Sequence, residues 1–299
     1  MPLPNATDTK AWSINARGDI VGRYFVNGVG PHGFLRYGSG TFVTIDIPGV
    51  NGTVLRGNNA SADAVGRYFD FSGGTHGFFR TTDGEFTLFD VTGGIAGTTV
   101  ANAVNNLDQS VGMYDAPTST PCGVFPLTHG FVRDRGGNFA SIDFPGALIT
   151  QASGIDDAST IVGTYITIVG SVNCANPLST VITVHGFMRT ARGQYLSVDA
   201  PPSTGAKHTL VEKINDAGEI VGTYLTNTLT AGDLGGDNIV SAPGDIHNFM
   251  LSGTGSFTPF DLTSIPGSLG GLPLGVNSRG SIVGVYSDGA HDHGFVGTR

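Results

Sequence analysis

Charge is scarce in this chain: only 13% of its 299 residues are Asp, Glu, Lys or Arg, and 24 acids against 15 bases leave a net charge of −9. No run of Lys or Arg could neutralise a phosphate backbone, so nucleic acid is excluded as an expected partner. Long apolar runs are missing too. No stretch approaches the roughly 18 to 20 uninterrupted apolar residues of a membrane span, and the start MPLPNATDTK has neither the basic nor the apolar region of a signal peptide. Cysteine is limited to Cys122 and Cys174, tryptophan to Trp12, and glutamate to Glu85, Glu212 and Glu219. No zinc spacing, nucleophile elbow, phosphate loop or EF-hand loop occurs. Neither a metal nor another cofactor is expected.

Glycine, by contrast, is abundant at 47 residues, about twice the usual globular share, and it is periodic. The run INARGDIVGRY from Ile14 returns as NNASADAVGRY, VNNLDQSVGMY, IDDASTIVGTY, INDAGEIVGTY and VNSRGSIVGVY, six copies in all. Each ends on a tyrosine (Tyr24, Tyr68, Tyr114, Tyr165, Tyr224, Tyr286) nine residues after an Asn or Asp (Asn15, Asn59, Asn105, Asp156, Asn215, Asn277). That constant spacing predicts a rigid strand-turn-strand hairpin.

A second piece follows in each copy: HGFLR, HGFFR, HGFVR, HGFMR, HNFML and HGFVG, starting at His32, His76, His129, His185, His247 and His293. In the first five copies an aspartate follows by 14 residues (Asp46, Asp90, Asp143, Asp199, Asp261). The segments between, such as TFVTID and EFTLFD, alternate apolar and β-branched residues around a glycine-bearing turn, which fits a second antiparallel pair. Four short strands per repeat of 44 to 62 residues, with no helical period, predict an all-β fold: a single six-bladed β-propeller over residues 1–299.

These motifs resemble the bacterial HAF repeat, named for its His-Ala-Phe tripeptide and seen in extracellular proteins, with Gly here in place of Ala. The resemblance spans essentially the whole chain and implies a propeller and a secreted or periplasmic location; it implies no reaction. The sixth copy stops short of its aspartate, while the N-terminal segment aligns with the one that follows Asp46. The ends are therefore expected to meet inside one blade, with Met1 standing where a leader has been removed.

With strands lettered a to d from the axis outward, Tyr, His and Asp fall on one face, and His opposes Asp across strands c and d. A residue needed for one reaction has no reason to occur six times, so this set reads as a structural network. Function is sought where the copies differ. Three residues before the Asn, strand a reads Trp12, Arg56, Asn102, Ser153, Glu212 and Leu274; two residues earlier it includes Lys10 and Gln151, with His208 just ahead of the fifth copy. The expected site lies at the mouth of the channel. Trp12 would be a stacking platform, Arg56 an anion or hydroxyl anchor, and Asn102, Lys10, Ser153 and Gln151 further ligand contacts.

Should catalysis follow, Glu212 or His208 would move the proton in a metal-independent hydrolysis or elimination. Against this, Glu212 with Arg56 or Lys213 could simply plug the channel as an ion pair. The Tyr-to-His gaps are 8, 8, 15, 20, 23 and 7 residues, so copies three to five should wall one side of that face, tied by a Cys122–Cys174 disulfide. The expected partner is a small polar molecule or glycan. A non-catalytic carbohydrate- or protein-recognition module with sites between blades is the other reading, and the oligomeric state stays open.

Overall fold

The computed structural model describes residues 5–119, 126–235, 238–239 and 245–298. Six antiparallel sheets follow one another along the chain. Blade 1 comprises strands a (Asp8–Ile14), b (Ile20–Val26), c (Val29–Arg36) and d (Phe42–Ile45). Blade 2 comprises Gly52–Asn58, Ala64–Phe69, Thr75–Arg80 and Phe86–Phe89. In blade 3 the strands are Val100–Val104, Ser110–Ser119, Pro126–Arg133 and Phe139–Ile142. Blade 4 is built from Ile149–Ile155, Ile161–Ile168, Val181–Arg189 and Tyr195–Val198. Blade 5 uses His208–Ile214, Ile220–Leu225, Ile246–Leu251 and Phe257–Phe260. Blade 6 has three strands among the described residues: Gly271–Val276, Ile282–Ser287 and Asp292–Gly297. The helical segments described are 3-10 turns of three residues.

Each blade repeats one packing solution. The Phe of the HGF motif is fully buried in blades 1 to 5 (Phe34, Phe78, Phe131, Phe187, Phe249), worth roughly 2 kcal/mol each by area. It meets an aromatic ring of strand d, Phe42, Phe86, Phe139, Tyr195 or Phe257, at 5.0–6.0 Å between centroids. The glycine before it is required. At Gly33, Gly77 and Gly186 a Cβ would come within 2.3 to 2.5 Å of the outer strand or the next blade.

The Asn or Asp that opens each a-b turn accounts for the constant spacing. Asn15 Oδ1 accepts the amides of Arg17 and Asp19, both at 2.9 Å, an Asx turn that the other copies repeat. The fourth turn residue takes positive φ: glycine at 18, 218 and 280, but Ala62, Asp108 and Ser159 elsewhere. The Asn Nδ2 meanwhile reaches the next blade. Asn15 donates to the carbonyl of Asn59 at 2.9 Å, Asn59 to Asn105 at 3.4 Å, and Asn105 to Asp156 at 3.0 Å. Asn215 donates to Asn277 at 2.9 Å, and Asn277 to Asn15 at 3.1 Å. Only Asp156, which has no amide to donate, interrupts the circuit.

The sixth blade lacks a fourth strand among the described residues, as its incomplete sequence copy implies. Among the described residues the ends do not share a blade: the N-terminal strand is the inner strand of blade 1, the C-terminal strand is the third of blade 6, and the join is between blades. It is made by the Asn277–Asn15 bond, by the Asp292 amide donating to Asp8 Oδ1 at 3.1 Å, and by a Lys10–Asp292 ion pair at 3.3 Å.

The long b-c connections of blades 4 and 5 pack on each other. Leu229–Thr230, from the blade 5 loop, pairs with Val181 and Ile182 of blade 4 as a fifth strand. Ile166, Ile182, Val184, Leu225, Leu229 and Ala231 form a core beneath it. Cys122 lies outside the described residues, and with it the Cys122–Cys174 pairing.

Candidate functional site

The varied slot on strand a has a backbone cause. In every blade the a-b ladder slips by one residue at this point, so that Ala11 pairs with Gly22 but Ser13 pairs with Val21. The same shift brackets Arg56, Asn102, Ser153, Glu212 and Leu274. Each slot residue is the extra residue of a β-bulge. The bulge presses the preceding carbonyls onto strand b, where a Cβ on Gly22, Gly66, Gly112 or Gly163 would lie 1.9 to 2.0 Å from the oxygen of Lys10, Val54, Val100 or Gln151. This is why the glycine of I-V-G recurs.

The bulges bring several expected residues together in a filled channel. The Arg56 guanidinium lies 4.0 Å from the Trp12 ring centroid, a cation–π contact. Trp12 also packs with Val54, Leu274 and Val285. Trp12, Arg56 and Asn102 are buried; Asn102 Nδ2 donates to the Ala152 carbonyl at 2.9 Å. Ser153, Glu212 and Gln151 are half-buried. Lys213 follows the bulge of blade 5, where the other blades carry Ser, Gly or Ala. It spans the channel to donate to the carbonyls of Asn102 and Ser153 at 2.5 and 2.7 Å. Burial, then the charge of Arg56, pushes its amine down to about 7, with Glu212 opposing. The Trp12 Nε1 and Asn102 Oδ1 atoms are buried without a hydrogen-bond partner.

Two expected residues lie away from this cluster. His208 is buried between blades 4 and 5, and its Nδ1 accepts the Val184 amide at 3.2 Å. Burial holds the imidazole below its ordinary pKa, with only partial compensation from the Asn227 backbone. Lys10 sits higher, in its pair with Asp292, and lines a separate cavity of about 690 Å3 between blades 5 and 6. That volume suits a drug-sized ligand. His247, Asp261, Tyr224 and Tyr286 also line it.

Departures from the repeat open this cavity. Blade 5 reads HNF where every other copy reads HGF, and Asn248 is buried with Thr223 donating to its Oδ1 at 3.2 Å. A side chain where the other blades require glycine holds blade 6 off blade 5. The residue three places before the bulge is also altered. Thr53, Thr99, Thr150 and Thr209 each accept an amide of the preceding d-a connection at 2.9 to 3.2 Å; Gly271 takes that place in blade 6 and cannot. Both Asn248 and Gly271 line the cavity. Sequence reasoning searched for variety within one slot and passed over these single exceptions to an otherwise constant motif.

Four of the five His–Asp pairs form as expected, with His32–Asp46 and His76–Asp90 at 2.8 Å, His129–Asp143 at 2.6 Å and His185–Asp199 at 3.1 Å. Blade 5 departs again: no hydrogen bond joins His247 to Asp261 among the described residues. Asp261 Oδ1 instead accepts the Thr263 amide at 2.8 Å.

Fold and cavity together define a six-bladed β-propeller with an asymmetric opening between blades 5 and 6. Neither a family model nor a curated protein matches the chain. Among solved structures it is similar to a catalytically inactive virginiamycin B lyase from Staphylococcus aureus with quinupristin, at 11% identity and a TM-score of 0.50, covering 99% of this chain and 83% of that one. It is also similar to a luciferin-regenerating enzyme at 7% identity and TM-score 0.50, covering 98% and 90%. A gluconolactonase from Xanthomonas campestris aligns at 12% identity and TM-score 0.46, covering 94% and 85%. At these identities the likeness is one of fold.

Proposed function

We propose that this propeller binds a small ligand with polar groups at the mouth of its channel, in the cavity between blades 5 and 6. The observation that carries this reading is the cavity itself, which exists where Asn248 and Gly271 break the repeat. Lys10 supplies a cation at its wall. Arg56, Trp12, Asn102, Ser153, Gln151 and Glu212 are not among its lining residues and stand apart from it on the inner strands of blades 1 to 5. The likeness in fold to a virginiamycin B lyase extends this reading to an enzyme that acts on the bound ligand.

Recognition through equivalent sites between all blades is disfavoured, because a threonine staple ties the d-a connection at the entrances to blades 2, 3, 4 and 5. A glycan, lactone and ester panel screened by calorimetry should give one ligand per chain. Lys10→Met should weaken binding by about tenfold, the loss of one charge-assisted bond. Several ligands per chain, or indifference to Lys10→Met, would refute the reading.

Export, which the likeness to the HAF repeat supports, is part of the same proposal, as is a Cys122–Cys174 bridge across the loops of blades 3 and 4. Alkylation of the unreduced, unfolded protein should label neither cysteine. Labelling of both would remove the bridge.

A further inference from the structure

In blades 1, 3 and 4 the repeated tyrosine hydroxyl meets a strand-d hydroxyl: Tyr24 with Thr44 and Tyr114 with Ser141 at 2.8 Å, Tyr165 with Ser197 at 3.3 Å. The matching residue of blade 5 is Pro259, which has nothing to offer Tyr224. The Tyr224 hydroxyl and the His247 imidazole therefore have no hydrogen-bond partner among the described residues, although Tyr224 is 7% exposed. Their rings stack on one another at 4.9 Å, and both line the cavity. Tyr68, opposite Leu88 in blade 2, and Tyr286, in three-stranded blade 6, also lack a hydroxyl opposite them, but in blade 5 the histidine has lost its aspartate partner as well, so both groups line the cavity unengaged among the described residues. Buried polar groups are costly unless satisfied.

The surroundings set the chemistry of what satisfies them. Phe260, Leu272 and Val285 give the cavity apolar walls. Lys10 and Asp292 cancel as a pair, whereas the Thr263 amide holds the Asp261 carboxyl below its ordinary pKa and so charged. The lining carries a net negative charge, which disfavours a carboxylate ligand.

We propose that Tyr224 and His247 form a hydrogen-bonding end for a neutral or cationic ligand, holding its hydroxyl or amine while an apolar body lies against Phe260 and Leu272. This rests on the cavity being the ligand site. Three probes with one body and different ends test it: 2-phenylethanol, 2-phenylethylamine and phenylacetate, titrated by ligand-observed NMR. The alcohol and the amine should bind at one per chain and the acid about tenfold more weakly. Tyr224→Phe and His247→Gln should each weaken the alcohol by about tenfold, while Tyr114→Phe, whose hydroxyl serves blade 3, should change nothing. Leu272→Trp, filling the cavity, should abolish binding in a protein whose circular dichroism is unchanged. If Leu272→Trp abolishes binding but Tyr224→Phe and His247→Gln do not weaken it, the polar end is wrong and the cavity reading stands. If Leu272→Trp has no effect, both fail. Tighter binding of phenylacetate, or no binding by any probe, overturns the proposal.

Discussion

Lys213→Met should flatten a rise in stability that the wild-type protein shows from about pH 7 toward pH 10. The amine of Lys213 is lowered to about 7 in the folded chain, against about 10.4 when unfolded. Between those values the unfolded chain holds a proton that the native chain has released, so unfolding becomes harder as pH rises through this window. Below it both states are protonated and the slope disappears, leaving the native state with the full cost of a buried cation. The difference across the window is on the order of 4 kcal/mol. A neutral amine still has two hydrogens for the carbonyls of Asn102 and Ser153, so deprotonation need not disturb the channel. Methionine keeps the length without the titration. Urea denaturation at stepped pH would measure both slopes; equal slopes would mean that Lys213 stays protonated at its site.

The second large effect belongs to the seam. Asn277→Ala removes the bond to the Asn15 carbonyl that joins the last blade to the first, and with it the turn bonds from the Arg279 and Ser281 amides, each 3.0 Å long. Asn277 is buried, so three bonds at roughly 1 kcal/mol each predict a loss of about 3 kcal/mol. The opposite change is available at the interruption. Asp156→Asn can donate to blade 5 as its counterparts do, and it removes a charge that, after burial and the charge of Asp157, contributes to raising the Asp216 carboxyl. A gain of about 1 kcal/mol is expected. Denaturation midpoints of the two variants should move in opposite directions; an unchanged midpoint in Asn277→Ala would show that the seam does not depend on the Asn277 side chain.

The fold was legible because its determinants are local and repeated. The Asn-to-Tyr spacing encodes an Asx turn within a hairpin, and the His-to-Asp spacing encodes an antiparallel register, so both survive translation from string to structure. The strand-a slot was visible as variety, but the bulge behind it was not, since a one-residue slip leaves no mark in apolar alternation. That the slot residues would be packed against one another also depended on how six strands converge, which no single repeat contains. Lys10 was found for its place on strand a, yet its partner Asp292 lies at the other end of the chain. The cavity went unread because its signals are subtractions: a glycine become Asn248, a threonine become Gly271, a serine position become Pro259. Each is ordinary alone and informative only once the neighbouring blade shows what the usual residue was touching.

The bulge has a bearing on how such a molecule changes over generations. A side chain thrown out of register has no partner opposite it on strand b, and substitution there leaves the ladder and the aromatic packing of the blade as they were. After a blade is copied, its innermost position can therefore drift from tryptophan to arginine, glutamate or leucine while the copy still folds. A ring assembled by duplication in this way starts symmetrical and acquires its individuality from the axis outward.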